Sequence, residues 1–134
     1  MEFDQIIINF WKDVTAQNAE DLQSYFQTDA HVRWINTNEQ FTADEYIKTN
    51  CEYPGSWQGD VERIIQTGNL VVSVTRIYST DTCVSFHATS FFEFINGKIS
   101  VLNEYFGDDG AAPQWRQEMH IGKPIREIRN TEQY

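Results

Sequence analysis

Cysteine, proline and positive charge are all scarce in this 134-residue chain. The two cysteines, Cys51 and Cys83, have no CxxC spacing, so neither a disulfide framework nor a paired-thiolate zinc site is supported. A reducing compartment is the simplest reading. Ten Lys and Arg stand against 20 Asp and Glu, a formal net charge of −10. Such a surface repels phosphate backbones and anionic lipid, which argues against nucleic acid and membrane as partners. The longest apolar stretch, Leu70 to Val74, is already interrupted by Ser73 and is far too short to span a bilayer. The N-terminus reads Met1-Glu2-Phe3-Asp4-Gln5, acidic where a signal peptide needs Lys or Arg, so a cytoplasmic protein is expected. There is no Gly-rich phosphate loop and no G-x-S-x-G elbow. His31, His87 and His120 lack metal-ligand spacing, and the Asp108-Asp109 pair reads as a solvated loop. Neither metal nor cofactor is expected.

What the chain does have is apolar and aromatic side chains, with 9 Phe, 6 Tyr and 4 Trp, enough for one core at this length. A single domain over 1–134 is expected, with its core in 1–106 and a tail over 107–134. Phe3, Ile6, Ile7, Phe10, Trp11 and Val14 recur at three-and-four spacing, one stripe of a first helix. Asn18 can cap a short second helix carrying Leu22, Tyr25 and Phe26, and His31 to Ile35 reads as a short strand. Thr42-Ala43-Asp44-Glu45 is a capping box with Phe41 and Tyr46 placed as a staple. It predicts a third helix that stops before Pro54-Gly55. Four strands follow, over 57–66, 70–78, 83–95 and 98–106, separated by Gly68-Asn69, a polar turn at Asp81, and Asn96-Gly97. Asn-Gly between apolar runs predicts a tight hairpin, because both residues tolerate positive φ. Helices followed by a strand meander predict an α+β fold, helices on one face of the sheet. The tail, with Pro113-Gln114-Trp115-Arg116, reads as a loop and a short helical turn. Trp115 is expected to pack on the domain rim or on a partner subunit, with Arg116 near a carboxylate.

Three stretches carry a family likeness: Asp29-Ala30-His31-Val32, Phe94-Ile95-Asn96-Gly97-Lys98-Ile99 and Asn103-Glu104-Tyr105-Phe106. Their order and spacing resemble the nuclear-transport-factor-2-like (NTF2-like) superfamily, and within it the SnoaL-like group. The resemblance implies a cone-shaped, curved, mostly antiparallel sheet with three N-terminal helices enclosing a pocket. Strand alternation then assigns faces. Val71, Ser73, Thr75 and Ile77 point inward, as do Phe86, Ala88, Ser90 and Phe92, then Leu102, Glu104 and Phe106, and Val32 and Trp34. Val72, Val74, Arg76, Tyr78, His87 and Phe91 point outward. That outward face is apolar enough to predict a symmetric homodimer.

Members of this superfamily include isomerases, dehydratases, cyclases, hydrolases and binding proteins, so fold transfers more readily than function. The ketosteroid-isomerase pattern of a tyrosine, a carboxylate base and a protonated acid falls here on Phe10, Trp34 and Ser90, none of which can do those jobs. The dehydratase-like pattern finds Asp13 on the first helix but no inward His. Glu104 is the candidate catalytic residue: an inward carboxyl among Leu102, Phe106, Trp34 and Phe92, where desolvation raises its pKa. The structural alternative is a carboxyl held by an indole N–H, a tyrosine hydroxyl or an Arg. Candidate ligand-binding residues are Trp34, Ser73, Thr75, Ser90, Phe92, Leu102, Phe106, Phe10, Tyr25 and Trp57. Tyr25, Tyr46 and Tyr53 are placed near the helical wall, as amphipathic core residues rather than proton donors. Three function classes stay open: a cofactor-independent lyase, isomerase or cyclase acting on a small apolar or aromatic compound; a non-catalytic binding domain for an apolar ligand; and a dimeric interaction module with an incidental cavity.

Overall fold

The computed structural model describes residues 3–126. The first stripe forms helix α1 (Asp4–Ala16), which buries Ile7, Phe10, Trp11 and Val14. It ends at Gln17, in the left-handed region at φ 58°. Helix α2 (Ala19–Gln23) is shorter than the sequence implied. Asn18 stands at its N-cap, but its side chain donates to Asp13 Oδ1 at 2.9 Å instead of capping. Tyr25 lies in the turn that follows, and Phe26 opens strand β1 (Phe26–Trp34) as a buried residue. The first strand therefore begins five residues before the predicted His31 and ends one before Ile35. Strand β2 (Glu39–Thr42), not foreseen, folds back on it. Helix α3 (Ala43–Glu52) starts at the expected box: Thr42 Oγ1 accepts from the Glu45 N–H at 3.1 Å, and the Glu45 carboxylate accepts from the Thr42 N–H at 2.9 Å. Phe41 and Tyr46 both pack on Trp34, with ring centroids 4.8 Å and 6.2 Å away.

Four long strands complete the fold: β3 (Trp57–Thr67), β4 (Leu70–Ser79), β5 (Ser85–Ile95) and β6 (Lys98–Asp108). Asn96 at φ 51° and Gly97 at φ 78° make the tight β5–β6 turn. Cys83 and Val84 lie outside β5, exposed, while Gly107 and Asp108, expected in a loop, extend β6. The six strands run in the order β2-β1-β6-β5-β4-β3. All pairings are antiparallel except β1 with β6. The sheet is curved and mostly antiparallel but does not close; β2 and β3 are its edges. Cys51 in α3 is half-buried and forms no disulfide, and Cys83 is exposed.

Pairing register lines up the inward side chains in rows across the sheet. Val71, Phe92, Leu102 and Val32 form one row, all buried. The next row is Ser73, Ser90, Glu104 and Trp34. Beyond it come Thr75, Ala88 and Phe106, and then Ile77, Phe86 and Asp108. The first row lies in the core with α1, where Phe10 packs edge-to-face on Trp11, Tyr25, Phe26 and Phe92. Toward the β1–β6–β5 side the cover is less complete, because Trp34 of the second row and Phe106 and Phe86 of the last two are only partly buried.

On the outer face His87 is held by Glu62, where the β3 register shifts, and by Asp109. In the tail, helix α4 (Gln114–Gln117) is one turn with Pro113 at its N-cap. Trp115, expected to pack on the rim or on a partner, is 62% exposed here, and the Arg116 guanidinium lies 5.3 Å from its ring; among the described residues no carboxylate pairs with Arg116. The last eight residues of the tail, 127–134, lie outside the described residues.

Candidate functional site

Where the rows emerge from under α1, they leave a cavity of about 330 Å³. Its walls come from α1 (Trp11, Val14), α3 (Tyr46, Asn50), the segment after it (Tyr53, Trp57) and the inward ends of β4, β5 and β6 (Ile77, Phe86, Glu104, Phe106). Trp34 joins from β1. Thr37, Tyr53, Val84 and Asp108 are exposed and form the mouth, whereas Glu104, Tyr46 and Trp11 are buried and form the floor.

Glu104 is 1% exposed and accepts two hydrogen bonds, from Trp34 Nε1 to Oε1 at 3.2 Å and from Ser90 Oγ to Oε2 at 2.6 Å. Burial disfavours its charged form and outweighs both donors, so its pKa rises from 4.5 to about 7. Tyr46 is 2% exposed, and its hydroxyl is pushed well above the ordinary tyrosine value by burial and then by the Glu104 charge. The floor therefore carries one carboxyl that exchanges its proton near neutrality, beside a phenol that keeps its own. The side-chain N–H groups of Gln17, Asn50 and Trp57 are already engaged. Gln17 Nε2 donates to the Asn50 carbonyl at 2.9 Å, Asn50 Nδ2 to the Val14 carbonyl at 3.0 Å, and Trp57 Nε1 to the Pro54 carbonyl at 3.1 Å.

Of the residues proposed from sequence, Glu104, Trp34, Phe106 and Trp57 line the cavity together. Ser90 touches it only through Glu104. Ser73, Thr75, Phe92, Leu102 and Phe10 are buried and lie outside the lining. Ser73 Oγ accepts from Trp11 Nε1 at 3.4 Å, while Thr75 Oγ1 is buried without a hydrogen-bond partner. Tyr25 is turned away: its hydroxyl donates to Asp13 Oδ2 at 2.7 Å, which also takes Asp13 out of the site. Tyr46 and Tyr53, read from sequence as core, are cavity residues, and Trp11, Phe86, Asn50 and Asp108 join them. Among the described residues no three His, Cys, Asp or Glu side chains are grouped to hold a metal ion. No described helix is long and apolar enough to cross a membrane.

No protein-family model matches the sequence, and no curated protein matches it. Solved structures do share its shape. An NTF-2 like protein of unknown function from Burkholderia xenovorans LB400 matches with a TM-score of 0.72 at 22% identity, over 92% of this chain and 93% of that one. The fold is NTF2-like. A candidate ketosteroid isomerase from Kribbella flavida DSM 17836 matches this chain with a TM-score of 0.72 at 20% identity, over 88% of this chain and 85% of that one. For a candidate SnoaL-like polyketide cyclase from Shewanella putrefaciens CN-32 the values are 0.66 and 13%, over 76% and 87%. At these identities the likeness is one of fold. Within the NTF2-like frame, two of the three positions that the sequence resemblance assigned to ketosteroid-isomerase chemistry, Trp34 and Ser90, both donate to Glu104.

Proposed function

We propose that this chain is a cytoplasmic, cofactor-independent enzyme of the isomerase, lyase or cyclase type, in which Glu104 moves a proton on a small, largely apolar or aromatic substrate. The observation that carries this reading is a single buried carboxyl with a pKa of about 7 in the floor of an aromatic-walled cavity. A group poised near the working pH both takes and returns a proton with little driving-force penalty. Trp34 and Ser90 fix the carboxyl's orientation, and each of its oxygens keeps a lone pair for substrate. The neighbouring Tyr46 hydroxyl is a donor for a carbonyl or enolate oxygen, since its raised pKa keeps it protonated. The fold neighbours include a candidate isomerase and a candidate cyclase, which supports this type of chemistry.

A binding domain is the second reading. It is favoured by the two bonds Glu104 already accepts, which are also what a structural acceptor would show. Hydrogen–deuterium exchange of small aromatic ketones in heavy water separates the two, because it reads proton abstraction without knowledge of the product. The enzyme reading expects exchange by the native protein and its loss in Glu104→Gln, with ketone binding retained in both. Binding without exchange in the native protein, or exchange that survives in Glu104→Gln, would reject it.

A further inference from the structure

The cavity wall is rich in aromatic rings, and its formally charged groups are all acidic. Six of its rings touch in succession. Tyr46 meets Trp34 at 6.2 Å between centroids, Trp34 meets Phe106 at 5.7 Å, Phe106 meets Phe86 at 5.9 Å, Phe86 meets Trp57 at 6.1 Å, and Trp57 meets Tyr53 at 5.5 Å. Every contact in this chain is edge-to-face, and every member lines the cavity. The ionisable groups on the lining, besides the two tyrosines, are Glu104 in the floor and Asp108 at the mouth, and no Lys, Arg or His is among the lining residues.

We infer that this cavity accepts an organic cation, a substituted ammonium group whose alkyl shell sits against the aromatic wall and whose charge faces Glu104. The inference rests on the reading of this cavity as the working site and narrows its ligand class. Three features converge on it. Where a ring face meets an alkylated ammonium group it attracts the charge by cation–π interaction, and the apolar wall matches the group's greasy exterior. A tetraalkylated nitrogen donates no hydrogen bonds, so a wall with few free acceptors does not penalise it. The charge pattern is one-sided: a carboxyl at the mouth, a second one at the floor, and a chain of net charge −10 raise the local concentration of cations and oppose anions. Burial holds Glu104 partly protonated when it has no cationic neighbour, and a cation inside the cavity supplies the missing countercharge.

The test compares choline with 3,3-dimethyl-1-butanol, its uncharged carbon analogue, by calorimetry on the full chain. It is run at about pH 8, above the Glu104 pKa of about 7. The inference expects choline to bind about tenfold or more tighter than the analogue, an advantage on the scale of a desolvated cation–π and ion-pair contact. Glu104→Gln should remove most of that advantage. Phe86→Leu keeps apolar bulk but removes a ring, and should weaken choline several-fold and the analogue distinctly less. That variant also separates the cavity from diffuse surface attraction, which it does not alter. Equal or tighter binding of the analogue would overturn the inference, as would choline binding indifferent to both substitutions. If aromatic ketones bind and choline does not, the cation inference fails and the proposed function stands. If neither binds, both fail.

Discussion

Replacing Glu104 by glutamine is expected to stabilise the protein at alkaline pH and to weaken it by about 1 kcal/mol at acid pH. A carboxyl whose folded-state pKa is raised binds its proton more tightly when folded than when unfolded. Its stabilising contribution is complete below the unfolded value of 4.5 and is lost as pH rises through about 7. The loss is about 3 kcal/mol, from a shift of roughly two and a half units at ~1.36 kcal/mol each. Glutamine has the same shape and no charge. Its carbonyl can still accept from Trp34, and Ser90 must turn from donor to acceptor, which offsets the gain by about 1 kcal/mol. The net expectation is a variant about 2 kcal/mol more stable than the native protein above the folded pKa, worth roughly 6 °C in a chain of this size. His87 also contributes a pH dependence. Burial lowers its pKa, but hydrogen bonds to Asp109 and Glu62 outweigh that and raise it, so its contribution too is lost as pH rises. It is present in both proteins and cancels in their difference. Denaturant unfolding of native protein and variant across about pH 5 to 9, at fixed protein concentration, gives that difference directly. Parallel curves, or a variant weaker by a constant amount at every pH, would refute the reasoning.

Three further outcomes follow from the packing. Thr75 Oγ1 is buried without a partner, so Thr75→Val, which keeps the branched shape, should raise stability by about 1 kcal/mol in thermal unfolding; a loss of stability would mean that the hydroxyl has a partner such as a bound water. Thr42→Ala removes the capping-box acceptor of α3 and should cost about 1 kcal/mol by the same assay, with an unchanged melting curve counting against that role. The outer sheet face carries Val72, Val74, Tyr78 and Phe91 with the exposed Tyr105 beside them, and is expected to pair two copies over about 1,200–2,000 Å²; sedimentation as a monomer at micromolar concentration would rule this out.

Local signals in the sequence carried much of the fold. The α1 stripe, the Thr42–Glu45 box and the Asn96-Gly97 turn are each set by neighbours a few residues apart, and each forms where its chemistry says. Strand alternation also placed Glu104 on the inner face, because β4, β5 and β6 keep their register through the central rows. What alternation lacks is position along the strand. Phe92 and Leu102 share a face with Glu104 and Phe106, yet one or two rows of displacement put the first two in the core with α1 and the others on the cavity. That distinction depends on where α1 crosses the sheet, a long-range property with no local signature. Phe26 shows the same limit: its spacing from Leu22 suits a helix, but its place beside β6 makes it a strand residue. Tyr46 and Tyr53 could be read only as apolar wall, since nothing within α3 shows that Glu104 from β6 stands beside it.

The account stands most directly on the proton affinity of one side chain. Selective ¹³C labelling of glutamate, with the Glu104 resonance assigned by its loss in Glu104→Gln, allows the carboxyl to be titrated by NMR in the folded protein. A midpoint near 7 is the expected result. A midpoint near the ordinary carboxyl value of 4.5 would place Glu104 in contact with water, and would contradict both its buried setting and its role as the proton-moving group of the cavity.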